Sequence, residues 1–356
     1  MAKFYPLTVS DVRKETSECV SIGFDIPDEY RPHFEFTQGQ HLTLKKTIEG
    51  EDVRRSYSVC TSPLENEVRV AIKKVNGGQF STFANEKMQA GDSIEVMPAT
   101  GHFNCPLEPL NNKSYLAIAA GSGITPIISI IKTTLATEPL SHFTLLYGNR
   151  RTETIVFQEE LEAIKNKYLS RFVIHHFFSE EKVDSELFKG RISSEKIHQL
   201  KGIIDYPSID EVFICGPEEM MAETSETFKE IGINKEHIHL ELFTSPVGKL
   251  GKQVSTKDRS SEIVNSAVTI ILDGVQIDFP VNSETSILDL ANEKGADLPF
   301  SCKGGVCSTC KAKLLEGKVN METNYALEPD EIEAGYILTC QSHPASKKVL
   351  ISFDEG

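Results

Sequence analysis

The chain has 356 residues, a hydrophobic fraction of 39% and a net charge of −15, values typical of a globular protein of about two or three domains. Such acidity excludes nucleic acid as a partner, because phosphates would be repelled. The most apolar run, residues 115–131, is broken by glycine and proline, so no membrane span is predicted. The first residues run directly into a polar segment without a signal peptide, and four of eight cysteines share one motif, which predicts a reducing, cytoplasmic location.

Residues 1–110 predict an antiparallel β-barrel. Short alternating runs bounded by glycine or proline occur at 19–26, 40–48, 55–60, 68–73 and 93–97. Closing such strands into a small barrel hides their edges. Cys19, Cys60 and Cys105 in this region are interpreted as small buried residues.

Two segments of the barrel could hold a phosphorylated planar ligand. In Arg55-Ser56-Tyr57-Ser58, Arg55 could pair with a pyrophosphate, Tyr57 could lie against a ring and Ser58 could bond its edge. The alternative is an ordinary strand with an outward arginine. The segment 77–82, with Gly78 and Ser81, offers small residues at the start of a helix predicted near Ser81, where N–H groups and a hydroxyl can reach a phosphate.

Residues 111–243 predict a doubly wound α/β domain. Short apolar strands at 115–119, 143–147, 172–177, 211–214 and 237–242 alternate with helical stretches, including 154–168 and 218–231. This alternation is typical of a parallel sheet covered by helices on both faces.

Glycine-rich and arginine-rich segments follow strands of this domain. Gly121-Ser122-Gly123-Ile124-Thr125-Pro126 lies between a strand and a helix, as a dinucleotide loop requires, although Pro126 replaces the usual third glycine. Cys215-Gly216-Pro217 ends a later strand, where such sheets bind ligands. Arg150 and Arg151 follow the second strand and predict NADPH rather than NADH, because an arginine suits the 2′-phosphate. The alternative is that both arginines are merely solvated.

Residues 244–265 lose periodicity and predict a linker, and residues 266–356 form a last domain. Asp273-Gly274 predicts a hairpin turn, and Ser286 is a candidate N-cap. By sequence this domain holds 14 acidic and 7 basic residues, a net charge of 7 − 14 = −7. Such a surface could steer the domain toward a basic patch on a partner, or could serve solubility alone.

Four cysteines of this domain predict a [2Fe–2S] cluster. Cys302, Cys307 and Cys310 have C-x4-C-x2-C spacing and are followed by a distant Cys340, the plant-type ligand pattern. Gly304 and Gly305 suit a loop that must reach positive φ. A zinc site is the alternative, but structural zinc usually takes two closely spaced pairs.

Together these motifs resemble the ferredoxin–NADP reductase superfamily with a C-terminal plant-type ferredoxin. The resemblance implies a multidomain fold: an antiparallel β-barrel flavin domain, an α/β doubly wound nucleotide domain and an α+β β-grasp ferredoxin domain. It assigns flavin contacts to Arg55, Tyr57, Ser58, Gly78, Ser81, Gly101 and Phe103, and nucleotide contacts to Gly121, Gly123, Thr125, Pro126, Cys215 and Gly216. Glu241-Leu242-Phe243 is similar to the family's E-x-aromatic segment, in which Phe243 would cover the flavin. Ser58 and Glu241 become candidates for hydrogen bonding and proton handling, and Cys215 for shaping the nicotinamide pocket.

Within the superfamily the chain is most similar to the reductase subunits of ring-1,2-phenylacetyl-CoA epoxidases. This similarity rests on 55–60, Tyr147-Gly148-Asn149-Arg150, the cluster motif and Asn324-Tyr325-Ala326-Leu327-Glu328. It implies electron flow from NADPH to FAD, to the cluster and to a di-iron oxygenase component. Two alternatives remain: the FMN-containing reductase of an aromatic-ring dioxygenase, and a redox sensor whose cluster gates partner binding. The 77–82 and 98–103 segments favour FAD over FMN.

Overall fold

The computed structural model describes residues 3–243, 265–282 and 285–355. The chain divides into two compact units, of which the larger comprises Tyr5–Val53 and Tyr57–Phe243 and the smaller the rest. The predicted linker, 244–265, lies outside the described residues except for its last residue, which begins a strand. Within the described ranges, no helix has the length and apolar character needed to cross a membrane.

The first part of the larger unit is a six-stranded antiparallel sheet. Its strand order is β4-β3-β6-β1-β2-β5. The two outer strands approach each other at a bridge between Val59 and Val70, which is how a barrel closes. Its elements are β1 (Tyr5–Thr16), β2 (Cys19–Asp25), β3 (His41–Ile48), β4 (Glu51–Ser58), β5 (Val68–Lys73), α1 (Gln79–Glu86) and β6 (Ser93–Thr100).

The barrel prediction is confirmed, but it missed β1. Only the first half of this strand alternates clearly, with Tyr5, Leu7 and Val9 buried, whereas the second half is polar and is held by pairing with β2. The predicted helix start was also late, because α1 begins at Gln79 rather than near Ser81.

The second part of the larger unit is a five-stranded parallel sheet, as predicted. Its order is β11-β10-β7-β8-β9, so the direction of winding reverses between β7 and β10. The elements are β7 (Ser114–Ala120), α2 (Ile124–Thr137), β8 (His142–Asn149), α3 (Gln158–Lys167), β9 (Phe172–Phe178), α4 (Ser194–Gln199), β10 (Glu211–Gly216), α5 (Glu218–Ile231) and β11 (Ile238–Leu242).

Both faces of this parallel sheet are buried. On β7, Tyr115 and Ala117 belong to one apolar cluster, and Leu116 and Ile118 belong to the other. The ligand crevice of such a sheet lies at the carboxyl ends of the strands flanking the reversal, here β7 and β10.

The helix predicted over 154–168 is shorter than expected. It begins at Gln158, because Phe157 adopts a left-handed conformation with φ +61°. Ile155, Val156 and Phe157 are buried in the core that lies under this helix. Burial of three consecutive apolar residues is incompatible with one helical face, so the chain reaches the core before it turns into the helix.

The smaller unit contains a mixed sheet of order β13-β12-β18-β14-β16, with a short second sheet of β15 and β17. Helix α6 contributes Leu288 and Ala291 to the core shared with this sheet. Its elements are β12 (Asn265–Leu272), β13 (Val275–Asn282), α6 (Ile287–Glu293), β14 (Lys311–Glu316), β15 (Val319–Met321), α7 (Pro329–Glu333), β16 (Tyr336–Leu338), β17 (Ser342–Pro344) and β18 (Lys348–Ser352).

Two local predictions in the smaller unit are confirmed. Asp273 and Gly274, with φ of +52° and +72°, join β12 to β13 in a two-residue turn, and both N–H groups donate to the Asp354 carboxylate. Ser286 caps α6, because its Oγ accepts from the Asp289 N–H at 3.1 Å.

A buried carboxylate secures the connection that leads into β7. Glu138 is fully buried and accepts hydrogen bonds from the Glu108 N–H, Asn111 Nδ2, Tyr115 Oη and Ser141 Oγ at 2.7–3.0 Å. Burial alone would raise the pKa of Glu138, but these donors outweigh it and hold the pKa below its ordinary value.

We therefore expect Glu138→Gln to lower the free energy of unfolding by about 3 kcal/mol at pH 7, because buried donors lose a charged acceptor. A lowered native pKa contributes stability that is present above the ordinary pKa of about 4.3 and is lost as the pH falls further. The gap between wild type and variant should narrow from pH 6 to pH 3 in urea unfolding curves. The exposed Glu108→Gln is the matched control, and a gap independent of pH would contradict an ionised Glu138.

Candidate functional site

The end of β4 carries a buried hydroxyl that suits a ligand. Ser58 is 2% exposed, and among the described residues its Oγ finds no hydrogen-bond partner. An orphaned buried polar group is costly, so it fits a site completed by a ligand atom. Tyr57 lies one residue earlier, half-buried, with its ring tilted 40° against Phe80 at 5.5 Å. Arg55 lies on the same strand and donates to the Arg54 carbonyl at 2.7 Å.

The segment before α1 forms a tight loop. Ser81 Oγ accepts from the Val75 N–H at 3.1 Å and donates to the Gly78 carbonyl at 3.2 Å. A Cβ at Gly78 would lie 2.5 Å from this hydroxyl oxygen, so the close turn requires glycine. The Ser81 hydroxyl is thus engaged within the loop, and the first-turn N–H groups of α1 are the donors that the helix start presents.

The two predicted residues after β6 differ in their surroundings. Gly101 has φ +117°, and a Cβ there would lie 3.0 Å from His41 Nδ1. Phe103 is 3% exposed and packs edge-to-face against Phe213 at 5.5 Å. The Phe103 side chain is therefore part of the core.

The loop after β7 packs directly against the end of β10. Gly123 has no room for a side chain, because a Cβ would lie 2.0 Å from the Cys215 carbonyl oxygen. Gly121 takes φ +54°, and its carbonyl accepts from Tyr147 Oη at 3.1 Å. Thr125 Oγ1 donates to the Ser122 carbonyl at 3.0 Å, and the buried Pro126 follows in the first turn of α2. The structure thus brings the two predicted nucleotide segments together at the reversal of the sheet.

A lysine that the sequence did not single out lies beside this loop. Lys73 ends β5, and its Nζ is 3.7 Å from the position that a Cβ on Gly121 would occupy. An ammonium group at this place can complement phosphate charge. No local motif surrounds Lys73, so only the fold reveals its proximity.

Cys215, Glu241 and His41 converge at the carboxyl ends of β10 and β11. Cys215 pairs in register with Glu241, and Glu241 Oε1 lies 3.9 Å from His41 Nδ1 of the barrel strand β3. His41 Nε2 in turn lies 3.3 Å from Thr100 Oγ1. His41 was not predicted, because a lone histidine in a strand carries no sequence signal for this contact.

Burial sets the protonation of this group of side chains. It raises the pKa of Glu241 to about 8 and lowers the pKa of His41 to about 4, the latter with help from the charge of His102. Burial, together with the charge of Glu241, raises the pKa of Cys215 far above its ordinary value. At neutral pH the site therefore holds a protonated carboxyl, a neutral imidazole and a thiol rather than a thiolate.

The arginine pair and Phe243 lie at the surface. Arg150 and Arg151 follow β8, with exposed fractions of 65% and 54%, and both face the Glu180 carboxylate at 3.6–4.0 Å. Phe243, two residues after Glu241, is 39% exposed. Gly216, next to Cys215, is closed by Met220 Cε, which would lie 2.6 Å from a Cβ there.

The four predicted cluster cysteines come together as two pairs in the smaller unit. The Cys307 and Cys302 sulfurs are 3.1 Å apart, and the Cys310 and Cys340 side chains hydrogen-bond to each other. Donation from the Cys307 thiol and from N–H groups, that of Gly304 included, lowers the pKa of Cys302, which favours a thiolate ligand. Two thiols per iron is the donor set that a two-iron cluster needs, so these residues fit a [2Fe–2S] centre. Among the described side chains, no group of three or more histidine, cysteine or acidic residues surrounds one ion position.

The cluster loop departs from the prediction in one detail. Its positive φ values fall at Lys303 (+53°) and Gly305 (+74°), so the expectation for Gly304 was wrong. A Cβ at Gly305 would lie 2.8 Å from the Thr323 carbonyl oxygen. Gln341, which the sequence did not single out, donates its amide to the Lys303 carbonyl and lies 3.7 Å from Cys340 Sγ.

The segment after the cluster loop, which carried part of the family resemblance, is ordered against that loop. The Tyr325 N–H donates to the Gly305 carbonyl at 2.9 Å, and Asn324 Oδ1 accepts from the Leu327 N–H at 2.8 Å. The Tyr325 side chain itself is 57% exposed.

The fold and the site define a flavin- and nicotinamide-dependent reductase that carries its own iron–sulfur domain. Family comparisons agree: "Oxidoreductase FAD-binding domain" matches residues 6–105, "Oxidoreductase NAD-binding domain" matches 117–226 and "2Fe-2S iron-sulfur cluster binding domain" matches 270–345. The chain therefore belongs to the ferredoxin–NADP reductase superfamily, in the group with a C-terminal plant-type ferredoxin.

Curated relatives match along the whole chain. One of the subunits of the 1,2-phenylacetyl-CoA epoxidase of Escherichia coli K12 is 45% identical, with 99% of each chain covered. The ferredoxin reductase component of the 3-ketosteroid-9-alpha-monooxygenase of Rhodococcus rhodochrous is 34% identical, with 98% of this chain and 96% of that protein covered. Among solved structures, phthalate dioxygenase reductase shares the fold, with a TM-score of 0.59, 23% identity and 98% of each chain covered.

We expect Cys307→Ser to abolish the cluster while the flavin stays bound and reducible by the nicotinamide coenzyme, because the cysteines and the flavin segments lie far apart in sequence. Iron content and the visible spectrum measure the loss, from two irons per chain in the wild type. Cys105→Ser, a buried cysteine outside the motif, is the control and should retain both irons. Full iron in the Cys307→Ser protein would show that the ligand assignment is wrong.

Glu241 should affect stability in the opposite pH range from Glu138. A raised native pKa contributes stability that is present below the ordinary pKa and is lost as the pH rises toward about 8. Glu241→Gln, which cannot ionise, should unfold at the same temperature as wild type at pH 5 and roughly 3–6 °C higher at pH 9. The control is Glu236→Gln, an exposed carboxyl nearby in sequence. Parallel melting curves across this range would mean that Glu241 is not buried as a neutral acid.

Proposed function

We propose that this chain passes electrons from NADPH through FAD and a [2Fe–2S] cluster to the di-iron oxygenase component of a phenylacetyl-CoA epoxidase. The observation that carries the proposal is the 45% identity to one of the subunits of such an epoxidase over 99% of both chains. Because the similarity runs through the FAD, NAD and cluster domains in one order, it supports transfer of the whole electron path.

A bound flavin supplies the step between a two-electron hydride donor and a one-electron cluster. In this proposal Arg55 pairs with the flavin pyrophosphate, Tyr57 lies against the ring system, and the orphaned Ser58 Oγ bonds the ring edge. Gly78 and Ser81 bind phosphate through the backbone at the start of α1, since the Ser81 hydroxyl is engaged in its own loop.

The part of the flavin farthest from the ring would contact residues after β6. We assign this role to Gly101 and to the backbone of Phe103, because the Phe103 ring is buried against Phe213. Phe243, at 39% exposure, would cover the flavin ring.

The nicotinamide nucleotide would occupy the crevice between β7 and β10. Gly121, Gly123, Thr125 and Pro126 shape the phosphate loop at the start of α2, and Lys73 adds a positive charge.

The nicotinamide ring would lie beside Cys215 and Gly216. The raised pKa of Cys215 keeps it a thiol, so this residue shapes the pocket rather than acting as a nucleophile. Glu241, protonated at neutral pH, can hold a proton at its carboxyl, and His41 positions that carboxyl.

NADPH is the proposed coenzyme because Arg150 and Arg151 follow β8, one strand away from the phosphate loop. A guanidinium suits the 2′-phosphate that distinguishes NADPH from NADH.

The same proposal extends to the organisation and location of the chain. It divides the chain into a flavin domain (1–110), a nucleotide domain (111–243), a linker (244–265) and a cluster domain (266–356). Cys302, Cys307, Cys310 and Cys340 would ligate the cluster, and thiol ligands of this kind suit the reducing cytoplasm.

The electron acceptor would be recognised through charge. The net charge of −7 over residues 266–356 would steer this domain toward a basic surface on the oxygenase, and electron-transfer contacts of this type are small and transient.

The test couples NADPH oxidation to phenylacetyl-CoA epoxidation with the purified oxygenase component across a salt series. We expect coupled turnover that decreases about tenfold between roughly 50 and 300 mM salt, because the encounter is electrostatically steered. Reduction of ferricyanide by the same reductase serves as the control without a protein partner and should depend much less on salt. Absence of coupled turnover at every salt concentration would reject the epoxidase assignment and leave a reductase of another oxygenase.

A further inference from the structure

Glu180 is held beside the two arginines by the backbone. Strands β8 and β9 pair in parallel up to Asn149 and Phe178. The pairing continues beyond them, because the Ser179 N–H donates to the Asn149 carbonyl at 3.1 Å and the Glu180 N–H donates to the Arg150 carbonyl at 3.0 Å. The position of Glu180 next to Arg150 is therefore a consequence of the sheet rather than of a chance surface contact.

One carboxylate faces both guanidinium groups. Glu180 Oε1 lies 4.0 Å from Arg150 Nε, and Glu180 Oε2 lies 3.6 Å from Arg151 Nη2. Both distances exceed hydrogen-bond length, and all three side chains are about half exposed or more, so the pairing is loose. Glu153 also lies 3.6 Å from Arg151, but its side chain is 73% exposed and it contacts only one of the two arginines.

This arrangement acts in opposite directions on the two coenzymes. A 2′-phosphate must compete with Glu180 for the arginines and must approach a second negative charge. The neutral 2′-hydroxyl of NADH meets no such repulsion and can donate a hydrogen bond to the carboxylate.

We propose that Glu180 is a specificity-determining residue that opposes Arg150 and Arg151 and narrows the preference for NADPH over NADH. This inference rests on the proposed NADPH site at the two arginines. It makes the nucleotide site one that accepts both coenzymes, with the choice set by the balance of two cations and one carboxylate.

The test uses the full-length flavin-loaded protein and the variant Glu180→Gln. The ratio of kcat/KM for NADPH to that for NADH, with ferricyanide as acceptor, should rise about tenfold, as expected for removal of one charge at this range. Calorimetry with adenosine 2′,5′-bisphosphate should show tighter binding to the variant, whereas binding of 5′-AMP should not tighten. Glu186→Gln, which removes an exposed carboxylate paired with Lys189 at 2.9 Å, is the matched control and should leave the ratio unchanged.

Two outcomes separate the two ideas. An unchanged coenzyme ratio and unchanged bisphosphate affinity in Glu180→Gln would overturn the role of Glu180. Arg150→Ala tests the arginine site itself and should raise KM for NADPH much more than KM for NADH. Equal effects of Arg150→Ala on both coenzymes would instead contradict the NADPH assignment, whatever the result for Glu180.

Discussion

The close approach of Gly123 to the Cys215 carbonyl is the constraint on which the larger unit depends. Any side chain at position 123 would overlap that carbonyl, so the loop after β7 and the end of β10 touch through backbone alone. This contact closes the sheet at the point where its winding reverses, and that is where an open parallel sheet leaves its ligand crevice. The phosphate loop, the Cys215 pocket and the carboxyl of Glu241 owe their common location to it.

Two buried glutamates of the larger unit show how surroundings decide charge. Glu138 accepts four hydrogen bonds and stays ionised, whereas Glu241 has a neutral imidazole at 3.9 Å and stays protonated at neutral pH. Burial raises the pKa in both cases, and the number of donors decides the outcome. The first arrangement suits a structural anchor, and the second suits a residue that can exchange a proton within a working range of pH.

The smaller unit solves a different problem with other means. Its cysteine sulfurs are brought into pairs by one loop and one distant residue, and the loop is held from outside by the segment 323–325 and by Gln341. Each unit has its own apolar core, so the cluster site is built by contacts within the smaller unit. Electron transfer rewards such rigidity, because ligands that are already in place need little rearrangement when the charge changes.

Sequence alone determined the features that depend on neighbours along the chain. The cysteine spacing, the Asp273-Gly274 turn, the Ser286 cap and the glycine loop before α2 follow from local geometry, which a motif records directly. The start of α3 escaped prediction, because burial of residues 155–157 in the core overrides helical propensity. His41 beside Glu241, Lys73 beside Gly121 and Glu180 beside Arg150 were decided by the tertiary structure only. Strand pairing and closure of the barrel bring these residues together from distant parts of the chain, and no spacing in the sequence encodes such contacts.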